Sequence, residues 1–137
     1  MGMPKTPHLT TDCVVCDIEG RVLLIRRKNE PFKGAYALPG GFVDIGETVE
    51  AACRREVLEE TGIEVDRLHL VGVYSDPKRD PRGHTVSVAY TTVLRQAPRP
   101  KPGSDAEAAE WVASWQDLEL AFDHAQIIAD AERVRAT

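Results

Sequence analysis

The residues best suited to chemistry lie in one stretch, GFVDIGETVEAACRREVLEETGI, from Gly41 to Ile63. On a helix that starts near Thr48 and is closed by Gly62, an apolar arc of Val49, Ala52 and Cys53 turns acidic at Glu56, Glu59 and Glu60. Glu56 lies three residues before Glu59 and four before Glu60, and like charges at such spacings cost about 0.2–0.5 kcal/mol per pair. Arg55, four residues before Glu59, relieves only part of this. An acidic arc that continues a buried stripe is most simply explained by a bound cation, and ligands that are all oxygen select Mg²⁺ or Mn²⁺ over zinc. The plainer alternative is a solvated, salt-bridged helix face.

The complete spacing separates the two. Gly41, five residues, Glu47, seven residues, Arg55-Glu56-Val57, one residue, Glu59-Glu60, one residue and Gly62-Ile63 resemble the signature of the Nudix hydrolases at every defining position. That resemblance implies an α+β chain folded as an α/β/α sandwich around a central mixed β-sheet. It also implies metal-dependent attack of water on one phosphorus of a pyrophosphate that joins a nucleoside to another group. Carried over by residue, it assigns metal binding to Glu59 and Glu60, and metal binding or water activation to Glu56. Arg55 and Glu47 hold the motif together, Glu47 reaching the metal through water, and Gly41 joins the metal set. The alternative for Glu47 is an acid placed where a helix N-terminus favours one. Relatives supply a further carboxylate from outside the motif. Asp105 is the candidate and Glu107 its rival, although an acid in a Gly-Ser-Asp segment is often just a solvated turn residue.

The substrate side rests on a second stretch. SDPKRDPRGHTVSVAY, followed later by FDHAQII, is similar to the small microbial ADP-ribose pyrophosphatase branch of that family, which implies cleavage of ADP-ribose to AMP and ribose 5-phosphate. Lys78, Arg79 and Arg82 on one loop make a clamp for a diphosphate or a terminal ribose phosphate, because guanidinium forks match phosphate oxygens; the alternative is a basic surface loop. Arg26 and Arg27 are consecutive on a strand, so only one faces the site, and Arg27 is preferred. Gly40 and Gly41 permit close approach of backbone amides to phosphate. Phe32 and Tyr36 are candidates to stack on adenine, whereas His84 and His124 read as hydrogen-bonded structural residues. Two other readings share these residues: a nucleoside triphosphate or damaged-nucleotide pyrophosphatase, and a non-catalytic nucleotide sensor. Sensors in the family generally add a DNA-binding module, for which neither the length nor the charge of this chain provides.

The elements that must position these groups follow from pattern. Leu9 to Ile18 and Arg21 to Arg27 are β-rich runs joined at Glu19-Gly20; a short strand lies around Tyr36 to Leu38, and Pro39-Gly40-Gly41 reads as a sharp turn. Leu68 to Ser75 and His84 to Leu94 are strands, QAPRPKPGSD a stiff connector and Glu110 to Ser114 a short strand. Asp123 has the character of an N-cap, opening a last helix whose Ile127, Ile128, Ala131 and Val134 share a face.

The 137 residues make one domain, residues 1–137, with 42% hydrophobic content. A formal net charge of −5 argues against binding nucleic acid or an anionic membrane. No apolar run is long enough to span a bilayer, and the first residues lack a signal-peptide core, so a cytoplasmic location is expected. Cys13, Cys16 and Cys53 are then reduced thiols; on a strand, Cys13 and Cys16 point to opposite faces, against a zinc or redox role. The expected partner is a small nucleotide, and the family resemblance adds a homodimer.

Overall fold

The structure, a computed structural model, describes residues 2–136. The elements are β1 (His8–Asp17), β2 (Val22–Arg27), β3 (Tyr36–Ala37), β4 (Gly40–Phe42), α1 (Val49–Thr61), β5 (His69–Tyr74), β6 (Thr85–Leu94), β7 (Ala106–Val112), a 3₁₀ turn (Trp115–Asp117) and α2 (His124–Ala136). The sheet is mixed. β1 runs parallel to β6 from His8↔Thr85 to Asp17↔Leu94, and β6 carries β5 antiparallel at its other edge. On its remaining side β1 meets β4 near its start and β2 at its end, while β2 pairs β3 and β7.

Alternation along β1 sets the layers. Cys13 and Val15 join Leu23, Cys53, Val57, Ile63 and Tyr90 under α1. Val14 and Cys16 join Val22, Leu24, Ile127, Ile128 and Ala131 under α2. The period of two in a strand thus sends each helix to its own face, giving an α/β/α sandwich. The three cysteines are free and buried, Cys13 and Cys16 on opposite faces as their spacing requires. No helix among the described residues is long and apolar enough to cross a membrane.

Three expectations change. The sharp turn read at Pro39-Gly40-Gly41 is confined to a bend at Pro39: Gly40 and Gly41 are extended and pair with Asp12 and Thr11. Glycine is needed there for closeness rather than for a left-handed φ, since a Cβ on Gly40 would lie 2.2 Å from the Thr11 carbonyl oxygen. The strand expected at Glu110 to Ser114 begins earlier, at Ala106, because β2 supplies partners from Arg27↔Ala106 to Val22↔Val112, and that pairing overrides the weak β propensity of an Ala/Glu run. Asp123 does precede α2 and its carbonyl accepts from Gln126 and Ile127, but its carboxylate is spent on Arg79 instead of capping.

Because Ile128 is fully buried in the cluster beneath α2, Ile128→Ala should lower unfolding free energy by about 2–5 kcal/mol, read from urea denaturation.

Candidate active site

Helix α1 is well bounded. Thr48 caps its start by accepting from the Ala51 amide at 3.1 Å, and Gly62, at φ 71°, ends it by donating to the Leu58 carbonyl at 2.9 Å. The connector before β7 covers its far end, with the Lys101 and Gly103 amides donating to the carbonyls of Thr61 and Glu60. Within the helix, Ala52, Cys53, Val57 and Glu60 are buried. Consecutive residues diverge by about 100°, so Glu59 and Glu60 cannot point the same way. Glu60 faces inward, while Glu59 keeps 57% of its side chain exposed.

Glu56 and Glu60 therefore form the close pair. Glu60 accepts from the Gly40 amide at 3.3 Å. A Cβ on Gly41 would lie 2.7 to 2.9 Å from the Glu56 carboxyl atoms, so β4 must be glycine here to admit them. Burial first, then the hydrogen bond and negative charge of Glu56, push the Glu60 carboxyl up to about 9. Burial also raises Glu56, against the pull of its hydrogen bonds and of Arg55. Two crowded carboxyl groups, Glu60 buried and Glu56 half-buried, call for a proton or a cation between them.

Arg55 gathers the remaining acids. It donates to both oxygens of Glu47 at 2.6 and 3.1 Å, to Glu56 at 2.7 Å, to Glu59 at 3.3 Å and to the Phe42 carbonyl at 3.1 Å. The hydrogen bond to Arg55 is the main reason that the Glu47 carboxyl sits below the usual range. Among the described residues no three His, Cys, Asp or Glu side chains converge closely enough to hold a metal by themselves. Mg²⁺ ordinarily takes one or two carboxylates and completes its shell with waters and substrate phosphate oxygens. The Glu56–Glu60 pair, hard oxygen donors wanting a positive charge, fits that demand. Glu47 and Glu59 stand in a second rank behind Arg55.

Glu56 and Glu60 open on a cavity of about 380 Å³, also lined by Asp12, Arg27, Gly40, Gly41, Arg82, Asp105, Phe122 and His124. Arg27 rather than Arg26 faces it: Arg26 lies against Tyr36 and the Gly34 carbonyl, whereas Arg27 sits over Phe122 at 5.1 Å. Arg82 is half exposed, braced by Asp80 at 2.8 Å and placed over both Phe122 and Phe42. Among the described residues Asp105 lines the cavity with its carboxylate in no hydrogen bond or ion pair; Glu107 does not line it. Lys78 is absent from the lining as well.

Arg79 differs most from expectation. Its side chain is 5% exposed and its fork is committed, with Nε and Nη2 on the two Asp123 oxygens at 2.8 and 2.7 Å and Nη1 on Thr85. It belongs to the wall instead of serving as a free clamp, because a bidentate partner already fills its donor geometry. Nor does either expected aromatic line the cavity. Tyr36 bonds Glu110, and Phe32 packs edge-on against Phe122. The aromatics that line the cavity are Phe42 and Phe122, neither anticipated from sequence, and Phe122 holds φ at 52°.

Asp12 and His124 were also not foreseen as a pair. Asp12 is 7% exposed; it accepts from Ser87 at 2.5 Å, approaches His124 Nε2 at 3.3 Å and lies 3.8 Å from Arg79. Burial would raise its carboxyl, but His124, Ser87 and Arg79 together hold it below the usual range. The only local signal is a charged residue inside the run TDCVVC, since its partners come from distant segments. His84 bonds the Ser75 carbonyl, a structural role.

Comparison with known proteins bears on this geometry. The model of the NUDIX domain family matches residues 6–133. An ADP-ribose pyrophosphatase of Methanocaldococcus jannaschii is 46% identical over 127 residues, covering 93% of this chain and 74% of that protein. The ADPR responsive transcriptional repressor NtrR of Acinetobacter baylyi is 36% identical over 92% of this chain, which spans 53% of the repressor. Among solved structures, the NUDIX domain of Shewanella oneidensis NrtR complexed with ADP ribose superposes with a TM-score of 0.89 at 32% identity, covering 97% of this chain and 90% of that one. A MutT/nudix family protein of Enterococcus faecalis gives 0.90 at 32% identity, covering 100% of this chain and 65% of that one.

Two outcomes follow from the electrostatics. Burial and Glu56 push the Glu60 carboxyl up to about 9 from 4.5 for an ordinary glutamate, so over that interval the folded state favours a proton that the unfolded state releases. Its contribution to stability is complete below about pH 4.5 and is lost as pH rises toward 9, by at most about 1.4 kcal/mol per pH unit. Without metal, Tm should fall from pH 5.5 to pH 8, Mg²⁺ should restore more of it at pH 8 than at pH 5.5, and Glu60→Gln should flatten both trends in differential scanning fluorimetry. Arg79→Ala, which leaves Asp123 and Asp12 without their cation, should lower stability by about 3–5 kcal/mol, measured by chemical denaturation.

Proposed function

The chain belongs to the Nudix family of hydrolases, and from that premise we propose that it cleaves the pyrophosphate of ADP-ribose to AMP and ribose 5-phosphate with Mg²⁺ or Mn²⁺. The observation that carries this reading is the division of one cavity into an acidic wall, Glu56 and Glu60, and a cationic wall, Arg27 and Arg82 with Phe122. A diphosphate needs both: cations to neutralise its outer oxygens, and a site where attacking water is activated. The choice of ADP-ribose is supported by the name of the Methanocaldococcus jannaschii relative and by the ligand of the Shewanella oneidensis NUDIX domain.

In this reading Glu56 and Glu60 would hold the metal, with the Gly41 carbonyl as a further ligand, and Glu59 and Glu47 would support them through Arg55. Bound there, Mg²⁺ or Mn²⁺ supplies a Lewis acid that polarises phosphoryl oxygen and lowers the pKa of coordinated water. Arg27 and Arg82 orient the diphosphate, the Gly40–Gly41 backbone passes close to it, and Arg79 keeps the Arg82 loop in place. Asp105, which makes no ion pair, is available to take the proton from the attacking water. Three free cysteines suit a reducing, cytoplasmic setting. β5, an edge strand with Leu70 and Val73 exposed, offers a surface for pairing two copies.

Similarity to the Acinetobacter baylyi repressor favours a second reading, nucleotide sensing without hydrolysis. One experiment separates the readings: incubation with ADP-ribose, a nucleoside triphosphate panel and either metal, with products resolved by ³¹P NMR in ¹⁸O-labelled water. AMP and ribose 5-phosphate from ADP-ribose support the first; saturable binding without turnover supports the second. Glu60→Gln should lower kcat at least about a thousandfold with the fold retained. Arg82→Ala should raise KM for ADP-ribose by about 10- to 100-fold, and unchanged kinetics would remove Arg82 from the site.

A further inference from the structure

The start of α2 touches both walls of the cavity through consecutive residues. Asp123 takes the Arg79 fork at 2.7 and 2.8 Å. His124, 4% exposed, accepts from the Leu38 amide at Nδ1 at 3.0 Å. A backbone N–H can only donate, so Nδ1 carries the lone pair and the ring hydrogen lies on Nε2, pointing at Asp12 Oδ1 3.3 Å away. Asp12 and Arg79, both buried, in turn approach to 3.8 Å, so the partners of His124 and of Asp123 meet.

What the two residues hold is different. Leu38 leads through Pro39 to Gly40, whose amide donates to Glu60. Asp12 pairs with Gly40 in the sheet, and its Oδ1 would lie 2.7 Å from a Cβ there. Gly40 is thus set between Asp12 on one side and Glu60 on the other, and His124 fixes both Asp12 and the segment that delivers Gly40. Arg79, by contrast, belongs to the loop of Asp80 and Arg82, the cationic wall.

We propose that the Asp123–His124 corner is a dual positioning device, in which His124, through Asp12 and Leu38, sets the geometry of the carboxylates that take the metal, and Asp123, through Arg79, sets the loop that takes the diphosphate. The assignment of the two walls rests on the functional reading above; the geometry of the corner does not. Neither side chain acts on the reacting atoms. Residues that orient ligand-bearing groups typically alter metal affinity or activity by about 10- to 100-fold when removed, and here the two losses fall on separate parameters.

The test uses the whole chain with Mn²⁺ as probe, bound metal being followed by electron paramagnetic resonance and kinetics by ADP-ribose turnover. His124→Leu should weaken Mn²⁺ binding about tenfold or more and lower kcat by about the same factor, with KM within about threefold. His124→Asn keeps an acceptor at the Nδ1 position for Leu38 but cannot reach Asp12, and should recover part of the loss, which a general packing defect would not allow. Asp123→Asn should raise KM about tenfold with Mn²⁺ affinity within about twofold. Equal shifts of metal affinity and KM in both variants, or losses that follow only the folded fraction seen by circular dichroism, would overturn the proposal. If the wild-type chain does not turn over ADP-ribose, the functional reading fails, yet Mn²⁺ affinity in His124→Leu, His124→Asn and Asp123→Asn still decides this one: no differential effect there rejects it.

Discussion

Everything in the site turns on two carboxyl groups that cannot both ionise where they are. Helix α1 brings Glu56 and Glu60 onto one inward arc, and β4 closes on them with a glycine that leaves no room for a side chain beside Glu56. Burial and the neighbouring charge of Glu56 push the Glu60 carboxyl far above the ordinary range. The electrostatic demand is local and positive. Arg55 meets only part of it, because the same guanidinium is shared with Glu47 and Glu59. A divalent cation is the natural remainder.

The sheet distributes the work of meeting that demand. On one face α1 supplies acids, and on the other α2 supplies no acid to the cavity and yet reaches both walls through His124 and the Asp123 that precedes it. This is possible because β1 lies between the helices and carries Asp12 at its cavity end, paired on one side with Gly40 and on the other with Ala89. A change at α2 is thereby felt at Glu60 through two hydrogen bonds and a short piece of backbone. No buried side-chain polar atom among the described residues lacks a partner, so the network has no slack in which such a change could be absorbed.

The parts legible in the sequence were those written in local order. Helix α1, its closing glycine, the acidic turn of its stripe and the alternation of β6 all follow from periods of 3.6 and 2 within short windows. Other features depended on residues far away in the chain. β7 is an Ala/Glu run made into a strand by β2, Gly40–Gly41 became strand through β1, and the bond from Leu38 to His124 spans 86 residues. Arg79 was legible as a site-facing cation but not as a buried one, since its commitment depends on Asp123. Phe122 carried no periodic signal, only a place in a turn before α2.

Glu60 itself argues that the acid arc is kept for what it binds. A glutamine there would keep nearly the same volume, still accept from the Gly40 amide and remove the charge conflict with Glu56, so the metal-free fold would gain by the exchange. Arg55 makes the same point from the other side. It would neutralise Glu56 more completely without Glu47 and Glu59 competing for its donors. Sites that hold such conflict ordinarily have it relieved by a ligand. Here relief requires concentrated positive charge reachable by hard oxygen donors from a solvent-filled cavity, and a hydrated divalent ion carrying substrate phosphate satisfies each of those conditions.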